Sequence, residues 1–219
     1  MDIVDLIPEV GQVVRRCPGV TLKTAYLRSA RNFCSQTRWL RDTPTLDTLS
    51  GNTEAGTADY ALLVTDPLTE IVGIRDVKGF EVSAVDQWWQ ITPFDKTRFQ
   101  PTTQTNKPVH YAYVPEASLS LWMAPDKAYR LEITAAVQPI LTATELPDRL
   151  VTKWKEVLEY GALEYLMALP RQAWSNAVIA ADYGKKFRAG INNAKADEQR
   201  GYNQGPTRVT PRMIFRRKI

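Results

Sequence analysis

Tyr129-Arg130-Leu131-Glu132-Ile133-Thr134-Ala135-Ala136-Val137 and, soon after, Pro147-Asp148-Arg149-Leu150-Val151-Thr152-Lys153-Trp154 hold two different periods. In the first run Tyr129, Leu131, Ile133, Ala135 and Val137 alternate with Arg130, Glu132 and Thr134, the pattern of a half-buried antiparallel strand. In the second, apolar residues recur every three or four positions: Val151, Trp154, Leu158, Ala162, Tyr165 and Leu169 form one helical stripe that ends at Pro170. The switch at Pro147 places strands before it and helices after it. Gly161, in the middle of the stripe, costs about 1 kcal/mol relative to Ala. Close approach of a neighbouring helix is the expected return.

Strand-like runs fill residues 43–146: Tyr60–Thr65, Glu70–Val77, Trp88–Ile91, Val109–Val114 and Ser118–Met123. Nine of the fourteen prolines lie from Pro44 to Pro147. Ala124-Pro125-Asp126-Lys127 reads as a hairpin turn before the Tyr129 strand. Residues 98–108 read as an exposed loop with little to bury. Upstream, Ile3, Ile7, Val10 and Val14 are helically spaced, with Pro8 in the first turn. Cys17-Pro18-Gly19 is a turn and Thr21 a candidate cap. Leu22, Tyr26, Ala30, Phe33, Thr37 and Leu40 then describe a helix of about five turns. Downstream, Ser175 or Asn176 can cap a last helix with Ala180, Tyr183, Phe187, Ile191 and Ala194 on its apolar face. Segregated helices and strands predict an α+β fold. Residues 1–42 and 147–200 are expected to form a helical bundle from both chain ends. Residues 43–146 are expected as an inserted antiparallel β domain, and 201–219 as an extended, basic C-terminal arm.

The 219 residues carry 28 Lys or Arg and 24 Asp or Glu. Ten of the cations but only Asp197 and Glu198 among the acids fall in residues 185–219. That end is +8 and residues 1–184 are −4. A slightly acidic body is a poor sliding surface for DNA, whereas a basic end suits docking on an acidic surface. A hydrophobic share of 44% excludes global disorder. No apolar run approaches the ~20 residues of a membrane span. The start, with Asp2 and Asp5, lacks the pattern of a cleaved signal.

Residues that carry chemistry are sparse, and no catalytic, metal or cofactor site is expected. Gly184-Lys185 is followed by Lys186 and position 179 is Ile, so there is no phosphate loop. Gly-x-Ser-x-Gly, His-Glu-x-x-His and Cys-x-x-Cys are absent. His110 reads as an ordinary strand histidine. Glu156 and Glu159, with Lys153 and Lys155, read as a solvated helix face. Cys17, near a turn, and Cys34, on the apolar side of a helix, could pair, but read as reduced core thiols. Trp88-Trp89 points one indole to each side of a strand, a core residue plus an interface anchor.

The order of several pieces resembles the head-to-tail adaptor (connector) proteins of short-tailed and related bacteriophages. They are the Cys17-Pro18-Gly19 turn, then Ala30-Arg31-Asn32-Phe33-Cys34-Ser35-Gln36-Thr37-Arg38-Trp39. Met123-Ala124-Pro125-Asp126, Gln138-Pro139 and Glu145-Leu146-Pro147-Asp148 follow. The last are Tyr160-Gly161-Ala162-Leu163, Met167-Ala168-Leu169-Pro170 and Ala173-Trp174-Ser175-Asn176. The likeness spans residues 1 to about 195, with 43–110 alike only in texture. It implies a non-enzymatic structural virion protein without cofactors, assembled in the host cytoplasm and placed in the neck between portal and tail. Its implied partners are the portal protein, a downstream tail or nozzle protein and its own copies in a ring of twelve, with DNA passing through unbound and no membrane involved. The family has no defined site motif, so the portal-binding residues are assigned by physics to the arm. Arg208, Arg212, Arg216, Arg217 and Lys218 suit carboxylates, and Met213, Ile214 and Phe215 suit apolar pockets. The arm is expected to order only on its partner, since alone it cannot offset its ordering entropy. Two other readings remain: a nucleic-acid-binding protein acting through the basic tail, and a small hydrolase with an unrecognised site.

Overall fold

The computed structural model describes residues 1–95, 104–114 and 118–199. A 3-10 turn, Ile3–Leu6, is capped by the Asp2 carboxylate on Val4 N (2.9 Å) and runs into α1 (Ile7–Val13), with Pro8 in its first turn. The second helix, α2 (Gly19–Thr37), begins before the expected Thr21 cap. Pro18 already has the extended dihedrals of a capping position (φ −61°, ψ 140°), so the helix starts directly after it and Thr21 lies inside the first turn. Arg38 closes α2 in the left-handed region (φ 51°), its N–H reaching Cys34 O at 2.8 Å.

Nine strands follow among the described residues: β1 (Arg41–Asp42), β2 (Thr45–Leu46), β3 (Asp59–Tyr60), β4 (Leu62–Leu63), β5 (Thr69–Glu81), β6 (Ala84–Pro93), β7 (His110–Val114), β8 (Ser118–Trp122) and β9 (Tyr129–Pro139). Two long helices end the described chain, α3 (Asp148–Ala168) and α4 (Ala177–Gln199). The fold is α+β. A curled, mostly antiparallel sheet has the order β1-β9-β5-β6-β7-β8-β3, and β2 with β4 makes a small second one. The only parallel neighbours among the described strands are β6 and β7, joined at Thr92–His110 and Pro93–Tyr111.

The hairpin expected at Ala124–Lys127 does not form. The turn joins β8 to β9, but these strands are not hydrogen-bonded partners. The reason is edge occupancy: β8 lies between β7 and β3, and β9 between β1 and β5. Both edges of each strand are taken. The chain before β3 then spans the gap in the curl, Asn52 bridging Arg130 and Asp59 pairing with Ser120. Thr105–Pro108, expected to be idle loop, is tied down as well. Asn106 N reaches Ala124 O (2.9 Å), and Pro108 O accepts the Trp89 indole N–H (2.7 Å). Residues 98–103 of that loop fall outside the described residues.

Two apolar clusters lie along β5 and β9. One packs α1, α2, α3 and α4 against Ala135 and Val137 of β9 and Ile71 and Ile74 of β5. The other, inside the curl, gathers Leu46, Tyr60, Val77, Ile91, Tyr111, Leu119, Leu121 and Ile133. Where α2, α3 and α4 meet, Gly161 allows the close approach. A Cβ there would overlap the Ser29 hydroxyl and come within 2.8 Å of the Phe187 ring. Gly79 serves the second cluster in the same way, its bare backbone covered by the Trp89 indole. The last helix starts at the anticipated cap, Asn176 Oδ1 accepting Ile179 N–H at 3.1 Å.

Candidate functional site

The residues assigned to a docking arm, Arg208, Arg212, Met213, Ile214, Phe215, Arg216, Arg217 and Lys218, lie outside the described residues. What the structure places is the ground from which that segment departs. In the last turn of α4, Glu198 Oε1 pairs with Arg41 Nη2 of β1 at 2.9 Å and with Arg75 of β5. One residue earlier, Asp197 reaches Lys153 of α3 at 2.8 Å. The Glu198 side chain is only 14% exposed. Charge counting treats these two acids merely as offsets within a basic end, but they fasten that end to the sheet and to α3. Their signal was their position. An acid at a helix C-terminus is opposed by the helix dipole, so two in succession call for partners elsewhere.

The Trp88-Trp89 pair splits as anticipated. Trp89 packs inward on Gly79 and edge-on to Tyr129 at 5.2 Å, while Trp88 is 57% exposed. Beside Trp88, across the strand pair, is Phe80. Arg130 lies over the Phe80 ring (4.7 Å) and Lys78 over Trp88 (5.6 Å). Along the chain Trp88 has Gln87 and Asp86 as neighbours; the cations arrive from β5 and β9, which no linear reading brings alongside. His110, on β7, lies against Phe94 and Trp122, each with ring centres 5.6 Å away, and its Nδ1 meets Thr92 Oγ1 at 2.7 Å.

The Glu156–Glu159 face differs from its expected solvation. Tyr160 donates its hydroxyl proton to Glu156. Glu159 turns toward α1, where it shares a hydrogen bond with Glu9, and Lys155 pairs with Glu9. Burial, then the facing Glu9 carboxyl, push Glu159 up to about 7. Hydrogen bonds from Glu159 and Lys155 hold Glu9 below its ordinary value. The reason for the difference is the three-to-four-residue rise of α3: Glu159 follows Leu158 around the helix onto the flank that α1 covers. Cys17 and Cys34 are both free thiols; Cys34 is buried, and that burial pushes it up to about 12. Among the described residues no helix is long and apolar enough to cross a membrane.

The model of one protein family, the SU10 adaptor protein, matches residues 1–210, nearly the whole chain. The chain belongs to that family. No curated protein matches it. Membership makes the chain a bacteriophage adaptor, a structural class that is generally non-enzymatic, and agrees with the head-to-tail adaptor likeness of its sequence. The match takes in both the described body of the adaptor and the first part of its basic end.

Proposed function

We propose that the chain is a head-to-tail adaptor that docks on the portal ring, extends the DNA channel and offers a platform to a tail or nozzle protein. In this reading it is one subunit of a ring of twelve in the virion neck. The observation that carries the reading is the family match over residues 1–210. Physical chemistry supports it in two ways. A body carrying −4 over residues 1–184 lets DNA pass without gripping its phosphates. A ring subunit needs two unlike surfaces, one for each neighbour, and an exposed Trp88 beside Phe80 supplies anchor material for one of them.

We divide the chain as a bundle (1–42 and 147–200), an inserted β domain (43–146) and an arm (201–219). Arg208, Arg212, Arg216, Arg217 and Lys218 steer the arm to an acidic partner, and Met213, Ile214 and Phe215 hold it there. Removing residues 206–219 tests this directly. Co-sedimentation with purified portal rings should be lost while circular dichroism stays unchanged. Unchanged co-sedimentation refutes the arm. Duplex DNA binding that is lost with the same deletion and falls steeply with salt favours instead a nucleic-acid role for the tail.

A further inference from the structure

The last turn of α4 lies beside an open cleft of about 360 Å³ between the end of α2 and strand β5. Its walls include Gln36, Arg38, Arg75, Lys195, Glu198 and Gln199. The single carboxylate here, Glu198, is already engaged by both Arg41 and Arg75. Arg75 also donates to Arg38 O at 3.3 Å. Arg38 and Lys195 have no acidic partner among the described residues. Counting Arg41 behind the wall, four cations surround one acid, leaving a concave, polar site with positive charge in excess. The amide groups of Gln36 and Gln199 add hydrogen-bonding groups at the rim.

Such a site attracts an anion, and among the described residues Glu198 is the one carboxylate that lines it. The residues that continue from Gln199, 200–219, carry six Lys or Arg and no Asp or Glu. That segment brings positive charge and no side-chain carboxylate of its own. A nucleic-acid backbone is a poor match, because a track of phosphates needs cations strung along the folded body, and that body is −4. A lone carboxylate suits a cleft of this size, with the Arg38 and Lys195 charges on it and the Glu198 carboxylate in its wall already paired with two guanidinium groups.

We propose that the cleft formed by Arg38, Arg75 and Lys195 receives an acidic side chain of a protein partner and so fixes the root of the basic end on an acidic surface. This rests on the reading of that end as a docking segment and names the partner's chemistry. The test is fluorescence anisotropy of the full chain with a labelled acetyl-Gly-Glu-Glu-Glu-Gly-amide peptide. Arg38→Asn with Lys195→Ala should weaken binding roughly tenfold, the sum of two solvent-accessible charge pairs. Asn tolerates the left-handed backbone at position 38. Lys195→Ala alone, at a half-buried position of α4, should give about a third of that effect on the same scale. Arg15→Ala with Lys185→Ala, an equal change of charge elsewhere, should alter binding less than about twofold. Equal weakening by both pairs overturns the proposal, since net charge alone then accounts for binding. So does stronger competition by a duplex DNA oligonucleotide, or by inorganic pyrophosphate, than by unlabelled peptide. Portal binding is not read in this assay, so failure of the cleft leaves the docking reading standing, and loss of the docking reading leaves the cleft measurable.

Discussion

Replacing Gly161 by Ala tests the three-helix contact at its tightest point. Helix propensity alone favours the change by about 1 kcal/mol. Packing opposes it. The new Cβ overlaps Ser29 Oγ, which is 3% exposed as a residue and donates to Leu158 O at 2.8 Å. Turning that hydroxyl away forfeits a buried hydrogen bond, about 1 kcal/mol, and leaves the group unsatisfied at a further cost of about 1–3 kcal/mol. The Phe187 ring, 2.8 Å from the same Cβ, must also move, which adds about 1 kcal/mol or more of overpacking. The net expectation is a loss of about 2 kcal/mol, or roughly 4–8 °C in Tm for a chain of this size. Urea unfolding followed by tryptophan fluorescence measures it. Ser29→Ala in the same chain removes the overlapping atom, so the double variant should be at least about 1 kcal/mol more stable than the two single losses add up to. A Gly161→Ala variant as stable as the parent, or strict additivity with Ser29→Ala, refutes the close-approach argument.

Glu198→Ala should free the last turn of α4 from the sheet: amide exchange over residues 195–199 rises, while global stability falls by about 1–3 kcal/mol because two arginines lose a largely buried partner. Unchanged exchange there removes the fastening role. Cys17, half-buried, should react with a thiol reagent in the folded protein, and Cys34, fully buried, only after denaturation; two thiols must be counted in the unreduced, denatured chain. Glu159 lies above its ordinary 4.5, at about 7, so the folded state holds its proton more tightly than the unfolded one. Its contribution to stability is complete below about 4.5 and disappears as pH rises through about 7. Glu9, shifted the other way, works against this slope at lower pH. Glu159→Gln should therefore flatten the fall of Tm between pH 5 and pH 8, and an identical fall in parent and variant would falsify the assignment.

What the chain reveals by itself depends on the range of each interaction. The α3 stripe and the β9 alternation come from neighbours within a few positions, so period alone reads them. Gly161 was legible for the same reason: a helix breaker in an unbroken stripe must be tolerated for contact. The Ala124–Lys127 turn misleads because a turn residue's chemistry says that the chain bends, and nothing about which strand occupies the edge it bends toward. That depends on β3 and β5, drawn from residues 59–60 and 69–81, far away in sequence. Thr21 misleads more locally: Pro18, with extended dihedrals and no side-chain cap bond, takes the cap position, three residues before the expected one.

Charge is harder still to read along a line. Summed by segment, residues 185–219 look uniformly basic and the two acids look incidental. Folded, Asp197 and Glu198 are where the segment is held, and Lys153, Arg41 and Arg75, all from the acidic body, hold it. Because those bonds consume the only acids of the basic end, the positive charge of Arg38 and Lys195 is left open beside them. The fastening and the surplus charge are thus one arrangement. A chain with Glu198 moved to a solvated position would have the same net charge, but its C-terminal helix would end unpinned and its cations would point at one another across an empty cleft. On the proposed docking role, segment charge names the kind of surface sought, while the placement of single carboxylates sets where on the body that surface would be met.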